Sequence, residues 1–219
     1  MPSMPKLPAA AAATLAVLMV TQPAAAHPHV WVSYALTVDY DGGSVRGVDH
    51  VWAFDDAYTE MALEGLDKNN DGQYDETELA ELLKVNLDGL KEFNYFTVAK
   101  LAGAELAFAS PANARLEYNN KILRLHFRLP LEKPVLADAE GLTFAVFDPS
   151  YFIAFEPEKD DPIKTASAPP GCTAALVEPE VKETDDQTEQ LGAAMIEQFG
   201  GASVAFASHK TVAVSCKKS

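Results

Sequence analysis

Apolar and polar residues alternate from Val30 to Tyr40, placing Val30, Val32, Tyr34, Leu36 and Val38 on one face. A period of two predicts a half-buried strand. Asp41-Gly42-Gly43 supplies a turn, and Val45 to Phe54 returns with Val48, His50, Trp52 and Phe54 on the matching face, as an antiparallel hairpin would require. Aligning the two apolar faces sets His29 opposite Asp55 on the other face, whereas a one-residue slip would expose the whole apolar set.

The period then becomes helical, from Tyr58 to Leu66 and from Glu78 to Leu90, and the helical region is expected to end near Phe93. Between these helices runs Asp67-Lys-Asn69-Asn-Asp71-Gly72-Gln73-Tyr-Asp75-Glu-Thr-Glu78. This spacing is that of an EF-hand-type calcium loop. Side-chain oxygens stand at loop positions one, three, five, nine and twelve (Asp67, Asn69, Asp71, Asp75, Glu78). Gly72 stands at the sharp turn, and Gln73 offers a backbone carbonyl. Ca²⁺ is a hard cation that takes six to eight oxygens, and this segment can wrap them around one ion. No second loop of this pattern follows, so a structural brace is expected rather than a sensor.

Further strands are expected at 95–101, 105–109, 114–118 and 122–129. In the last, Leu123, Leu125, Phe127 and Leu129 face inward, and Arg124, His126 and Arg128 face out. Segments 142–147 and 151–155 are expected to pair around Asp148-Pro149-Ser150. Residues 157–171, polar and proline-rich, read as a long surface loop. A strand at 174–177, an amphipathic helix at 186–199 and a strand at 211–216 complete the chain. The expected class is α+β: a mostly antiparallel, β-sandwich-like core, an EF-hand-type helical hairpin inserted at about 56–93, and a C-terminal helix and strand.

The first residues alter the setting. One lysine, an apolar stretch from Leu7 to Val20 and the small residues Ala24-Ala25-Ala26 fit a cleaved signal peptide over 1–26. A single periplasmic domain over 27–219 is then expected. Cys172 and Cys216 are the two cysteines of the chain. In an exported protein they read as a disulfide, worth roughly 4 kcal/mol in the chain-entropy account. The formal net charge is −15, and loss of residues 1–26 removes one lysine more. Such charge argues against nucleic acid and anionic membranes as partners.

Cleavage after Ala26 would expose His27-Pro28-His29. The His27 amine and ring can chelate, and His29 adds a third nitrogen, suiting Cu²⁺, Ni²⁺ or Zn²⁺. Pro28 lacks the amide N–H that a square-planar tripeptide chelate needs. Asp55 opposite His29, and Asp148 at a strand end, are the candidate carboxylates for the same transition metal. His50 on an apolar face reads as a satisfied core histidine, and His209 as a solvated loop residue. The chain carries no Gly-x-Ser-x-Gly elbow, phosphate loop, dinucleotide fingerprint or His-Glu-x-x-His helix. No enzyme is expected.

His27-Pro-His-Val-Trp31, Trp52-Ala-Phe-Asp55, the calcium loop, Tyr95-Phe-Thr97, Asp148-Pro-Ser-Tyr-Phe152, Asp160-Asp-Pro162 and the late cysteine pair follow one another in order. The set resembles a bacterial periplasmic family of unknown function, labelled as the periplasmic component of an uncharacterised ABC-type transport system. The resemblance implies a metal-handling accessory of a nickel, cobalt or zinc transport system, partnered by a membrane transporter or its components. Two other readings stand beside it. One is a calcium-braced periplasmic binding or adaptor module with no transition metal. The other is a copper enzyme built on an N-terminal histidine brace.

Overall fold

The computed structural model describes residues 28–178 and 209–217. The alternating segments become β1 (Val30–Asp41) and β2 (Ser44–Phe54), joined at Gly42 and Gly43, whose φ values of +56° and +79° suit glycine. The helical segments become α1 (Asp56–Leu63) and α2 (Glu76–Glu92), joined by the segment that contains Asp67 to Asp75. Then come β3 (Thr97–Leu101), β4 (Ala104–Leu106), β5 (Ala112–Asn119), β6 (Ile122–Leu136), β7 (Leu142–Val146), β8 (Ile153–Pro157), β9 (Ile163–Ala166), β10 (Cys172–Val177) and β11 (Thr211–Cys216).

Two sheets result. The first runs β5-β6-β2-β1-β8, with β9 also paired to β1; the second runs β10-β11-β7-β3-β4. Their facing sides share one core, including Tyr34, Leu36, Val38, Trp52, Leu125 and Phe127 from the first and Ala99, Leu142, Phe144 and Val212 from the second. The α+β class with a sheet-rich core is therefore as the patterning implies. On the outer face of the first sheet, Asp49 binds the directly opposed Arg128 through two 2.8 Å hydrogen bonds. This bidentate pair and Asp39 hold the Arg128 proton more tightly than usual.

Three expectations are corrected. The β1–β2 register pairs Val32 with Phe54 and Tyr34 with Trp52, and Asp55 donates its N–H to the Trp31 carbonyl. Trp31, not His29, thus lies opposite Asp55. A two-residue shift keeps every side chain on its own face, so apolar alternation could not separate these registers. Next, β7 and β8 are not a hairpin. β7 pairs with β3 and β11, whereas β8 runs parallel to β1, so residues 148–152 carry the chain from one sheet to the other. Lastly, the polar segment 157–171 contains β9, parallel to β1 at Leu36–Asp39. The expected helix at 186–199 lies outside the described residues, as do residues 1–27. Among those described, no helix is long and apolar enough to cross a membrane.

Cys172 and Cys216 are directly opposed on β10 and β11 and form the disulfide. At Gly47, a β-carbon would collide with the Leu129 carbonyl oxygen and lie 2.8 Å from Pro130 Cα. This close approach coincides with a bulge in the β2–β6 pairing, where Pro130, lacking an N–H, is tolerated.

One buried polar chain ties the sheets together. Trp52 Nε1 donates to His50 Nδ1 at 3.3 Å, so that nitrogen carries no proton and Nε2 must. Nε2 then donates to Thr97 Oγ1 at 3.3 Å, and Thr97 donates to the Tyr95 carbonyl at 2.8 Å. His50 also stacks on Phe127 at 4.7 Å. It is the satisfied core histidine the patterning predicts.

Burial pushes the His50 ring down to about 3 from its ordinary 6.5, against a smaller opposing pull from Asp49. The unfolded chain therefore binds the extra proton between those values, and stability falls as pH drops through that window. From pH 6.5 to 5 this residue alone should remove about 2 kcal/mol. Urea titrations at both pH values should show His50→Gln lacking that component, whereas an unchanged slope would mean that His50 is protonated normally in the folded state.

Candidate functional site

The calcium-type loop is built by its own backbone donors. Asp67 accepts from the N–H groups of Asp71 (3.2 Å) and Gly72 (3.0 Å), which folds the loop's first half around its first carboxylate. Asn69 and Asp71 accept from Asp71 and Gln73 at 2.8 and 2.7 Å. Asn70 and Gly72 adopt φ values of +61° and +75° where the chain turns. Glu78 reaches back across the loop, one oxygen accepting from Lys68 N–H at 2.8 Å and the other from Asp75 N–H at 3.2 Å. Asp75 caps α2 reciprocally, accepting from Thr77 and Glu78 in a capping box.

The loop is also anchored. Leu63 before it and Leu79 after it are buried, and Tyr74 meets Tyr118 of β5 edge-on at 5.0 Å. The Tyr74 hydroxyl is held above its ordinary pKa by desolvation first, then by the nearby charges of Asp67, Tyr118 and Glu78. Hard oxygens, a glycine at the turn and a final glutamate closing over the first residues fit Ca²⁺. As they stand, the loop oxygens face its own N–H groups. Among the described residues, no three His, Cys, Asp or Glu side chains form a group that could hold a metal ion.

Three of the transition-metal candidates, Asp55, Asp148 and His29, border the start of β1 in different roles. Asp55 caps α1, its Oδ1 accepting from Tyr58 N–H at 2.8 Å, while Oδ2 accepts from Trp31 N–H at 2.6 Å. Asp148 is buried. Its Oδ1 accepts from the Ser150 N–H (2.8 Å) and hydroxyl (2.7 Å), and Oδ2 accepts from Ile153 N–H at 2.9 Å. That locks the crossover loop so that the Phe152 carbonyl accepts from His29 N–H at 2.8 Å. The exposed His29 ring lies against Phe152 in a tilted arrangement, with ring centroids 4.8 Å apart. His27 lies outside the described residues. His209, expected to be solvated, instead stacks on Phe147 at 4.6 Å.

Between the start of β1 and α2 opens a cleft of about 440 Å³ that the patterning did not anticipate. Trp52 and Phe54 of β2, Phe96, and Ile153 and Phe155 of β8 line it, facing Val85, Asn86 and Leu90 of α2 and Phe93 just after it. Its floor is a set of aromatic contacts: Trp52 against Phe155 at 4.9 Å, Phe155 against Phe96 at 5.5 Å, and Phe96 against Phe93 at 5.2 Å. Asn94, Tyr95 and Phe96 have φ values of 50°, 55° and 47°, a left-handed turn of three non-glycine residues. Such strain, about 1–3 kcal/mol per residue, persists only where the surroundings enforce it. Here the Thr97–Tyr95 bond, a 2.9 Å bond from Asn94 Nδ2 to the Thr97 carbonyl and a 3.0 Å bond from Phe147 N–H to the Phe96 carbonyl enforce it. One signal lay in the sequence: Val85, Gly89 and Phe93 recur every four residues, a second stripe beside the core-facing Leu79, Leu83 and Leu90.

A family model described as "Protein of unknown function (DUF1007)" matches residues 12–216. An "Uncharacterized protein" of Haemophilus influenzae is 20% identical over 158 residues, covering 72% of this chain and 76% of the relative.

The double role of Asp55 has a measurable consequence. Asp55→Ala should lower stability by about 1–2 kcal/mol in metal-free urea denaturation, and Asp55→Asn, which keeps an acceptor, by less. A residue serving only as a metal ligand would leave the metal-free curve unchanged.

Proposed function

We propose that this chain, which belongs to the DUF1007 family of proteins of unknown function, is an exported binding module braced by one Ca²⁺. Export would follow cleavage after Ala26, placing the domain in the periplasm. Asp67, Asn69, Asp71, Asp75 and Glu78, with the Gln73 carbonyl, would hold the ion. The observation that carries the binding role is the convergence of segments distant in sequence. Trp52 and Phe54, Phe96, and Asp148, Ser150, Phe152 and Ile153 meet on the walls of one apolar cleft. The carboxylates of Asp55 and Asp148 are meanwhile engaged by backbone N–H groups. In a transport system, such a module would be an accessory that engages a membrane component.

Ca²⁺ at a hundredfold its dissociation constant should add about 2.7 kcal/mol to folding. Scanning calorimetry should show a calcium-dependent rise in Tm that chelator reverses and Glu78→Gln largely abolishes. A wild-type melting curve indifferent to chelator would remove the brace.

The exposed His29 imidazole favours a second reading, transition-metal handling with Ni²⁺, Cu²⁺ or Zn²⁺ bound by His27 and His29. Titrating mature protein and the His27→Ala/His29→Ala variant with these ions, in excess Ca²⁺, separates the two readings. The adaptor reading expects equal binding. Affinity lost in the variant would transfer the function to metal handling.

A further inference from the structure

The cleft has features that restrict what can occupy it. Val85, Phe93 and Phe152 line its mouth and are 58%, 56% and 53% exposed, although they are large and apolar. A ligand confined to the cavity would leave these rim surfaces in water. An occupant that covers them must extend beyond it. Inside, Asn86 Oδ1 accepts from the Tyr58 hydroxyl at 3.0 Å, but Asn86 Nδ2 is buried without a partner. An orphaned buried donor costs about 1–3 kcal/mol. It asks for an acceptor oxygen.

Charge decides the kind of acceptor. No lysine or arginine lines the cleft, and its single carboxylate, Asp148, is already bonded to neighbouring donors. A carboxylate ligand would therefore find no cation. Beside the apolar wall, the half of α2 next to the cleft carries Glu81, Asp88 and Glu92 against Lys84 and Lys91, and Lys84 is paired with Asp88 at 2.8 Å. With a net charge of −15, the chain opposes docking of a second copy and of anionic lipid.

We propose that this cleft receives an apolar, basic-flanked segment of a partner polypeptide. Its side chains fill the cavity and cover Val85, Phe93 and Phe152, and one backbone carbonyl accepts from Asn86 Nδ2, which a turn of the Asn86 amide towards the cleft uncovers. The proposal rests on the binding-module reading and is independent of the calcium brace.

The probe is a fluorescently labelled, C-terminally amidated peptide of Leu, Phe and Ala with lysines at both ends, followed by anisotropy on the full chain. Phe93→Ser and Phe152→Ser change exposed positions, so folding persists and circular dichroism checks it. Each should weaken binding at least tenfold. Asn86→Asp keeps the acceptor for Tyr58 but replaces the donor with a charged acceptor, and should also cost about tenfold. Glutamates in place of the peptide's lysines should weaken binding at low salt. Binding that persists in Glu78→Gln or in chelator would support the cleft even if the brace fails. Equal affinity for wild type and all three variants would overturn the proposal. So would decanoate binding in place of the peptide, or concentration-dependent dimerisation abolished by the same substitutions.

Discussion

The buried imidazole of His50 is the constraint on which most of the architecture turns. Its two nitrogens face opposite ways, one towards Trp52 on its own strand and one towards Thr97 on the other sheet. Only the neutral ring protonated at Nε2 satisfies both. That condition fixes the Trp52 indole on the cleft floor and, through Thr97, holds the Tyr95 carbonyl in a turn that L-residues otherwise avoid. Remove the relay and the penalty is more than a lost contact: Trp52 N–H becomes a buried orphan beneath the site, and Thr97 keeps only its bond to the Tyr95 carbonyl.

The regular parts of this molecule were legible because one physical rule governed each. Period-two alternation found β1, β2 and β6, and the cysteine pair closed where two strands oppose. Loop spacing marked Asp67 to Glu78, whose backbone folds around those side chains. What stayed hidden depended on comparing energies across distant segments. The register of β1 on β2 has two solutions with the same buried face, and the extra hydrogen bonds of Asp55 accompany the one adopted. Two strands flanking Asp148-Pro-Ser150 looked like a hairpin, although each finds a longer partner in a different sheet. β9 is four residues of mixed polarity, with too little apolar signal to stand out beside Pro162. The cleft draws its walls from β1, β2, α1, α2, the left-handed turn and β8, so no single window of sequence contains it.

Helix α2 joins the two features of interest. Its N-terminal end holds the capping Asp75 and Glu78 of the loop, its later turns carry Val85 and Asn86 of the cleft wall, and Phe93 caps its C-terminal end. Tyr58 bridges the two helices through Asn86 and stacks on Phe54 at 4.4 Å, fixing their separation from the sheet side as the loop fixes it from the other end. The wall is thus a rigid element held at both ends.

The pairing of β10 with β11 has a topological outcome. Cys172 and Cys216 close the ladder at one end, while the chain departs after Val177 and re-enters at Thr211 at the other. β11 is also hydrogen-bonded to β7 inside the second sheet. A proteolytic nick anywhere between these two strands would therefore yield fragments that stay covalently joined. Cleavage there leaves β11 moored to the second sheet by its ladders to β10 and β7 and by the disulfide.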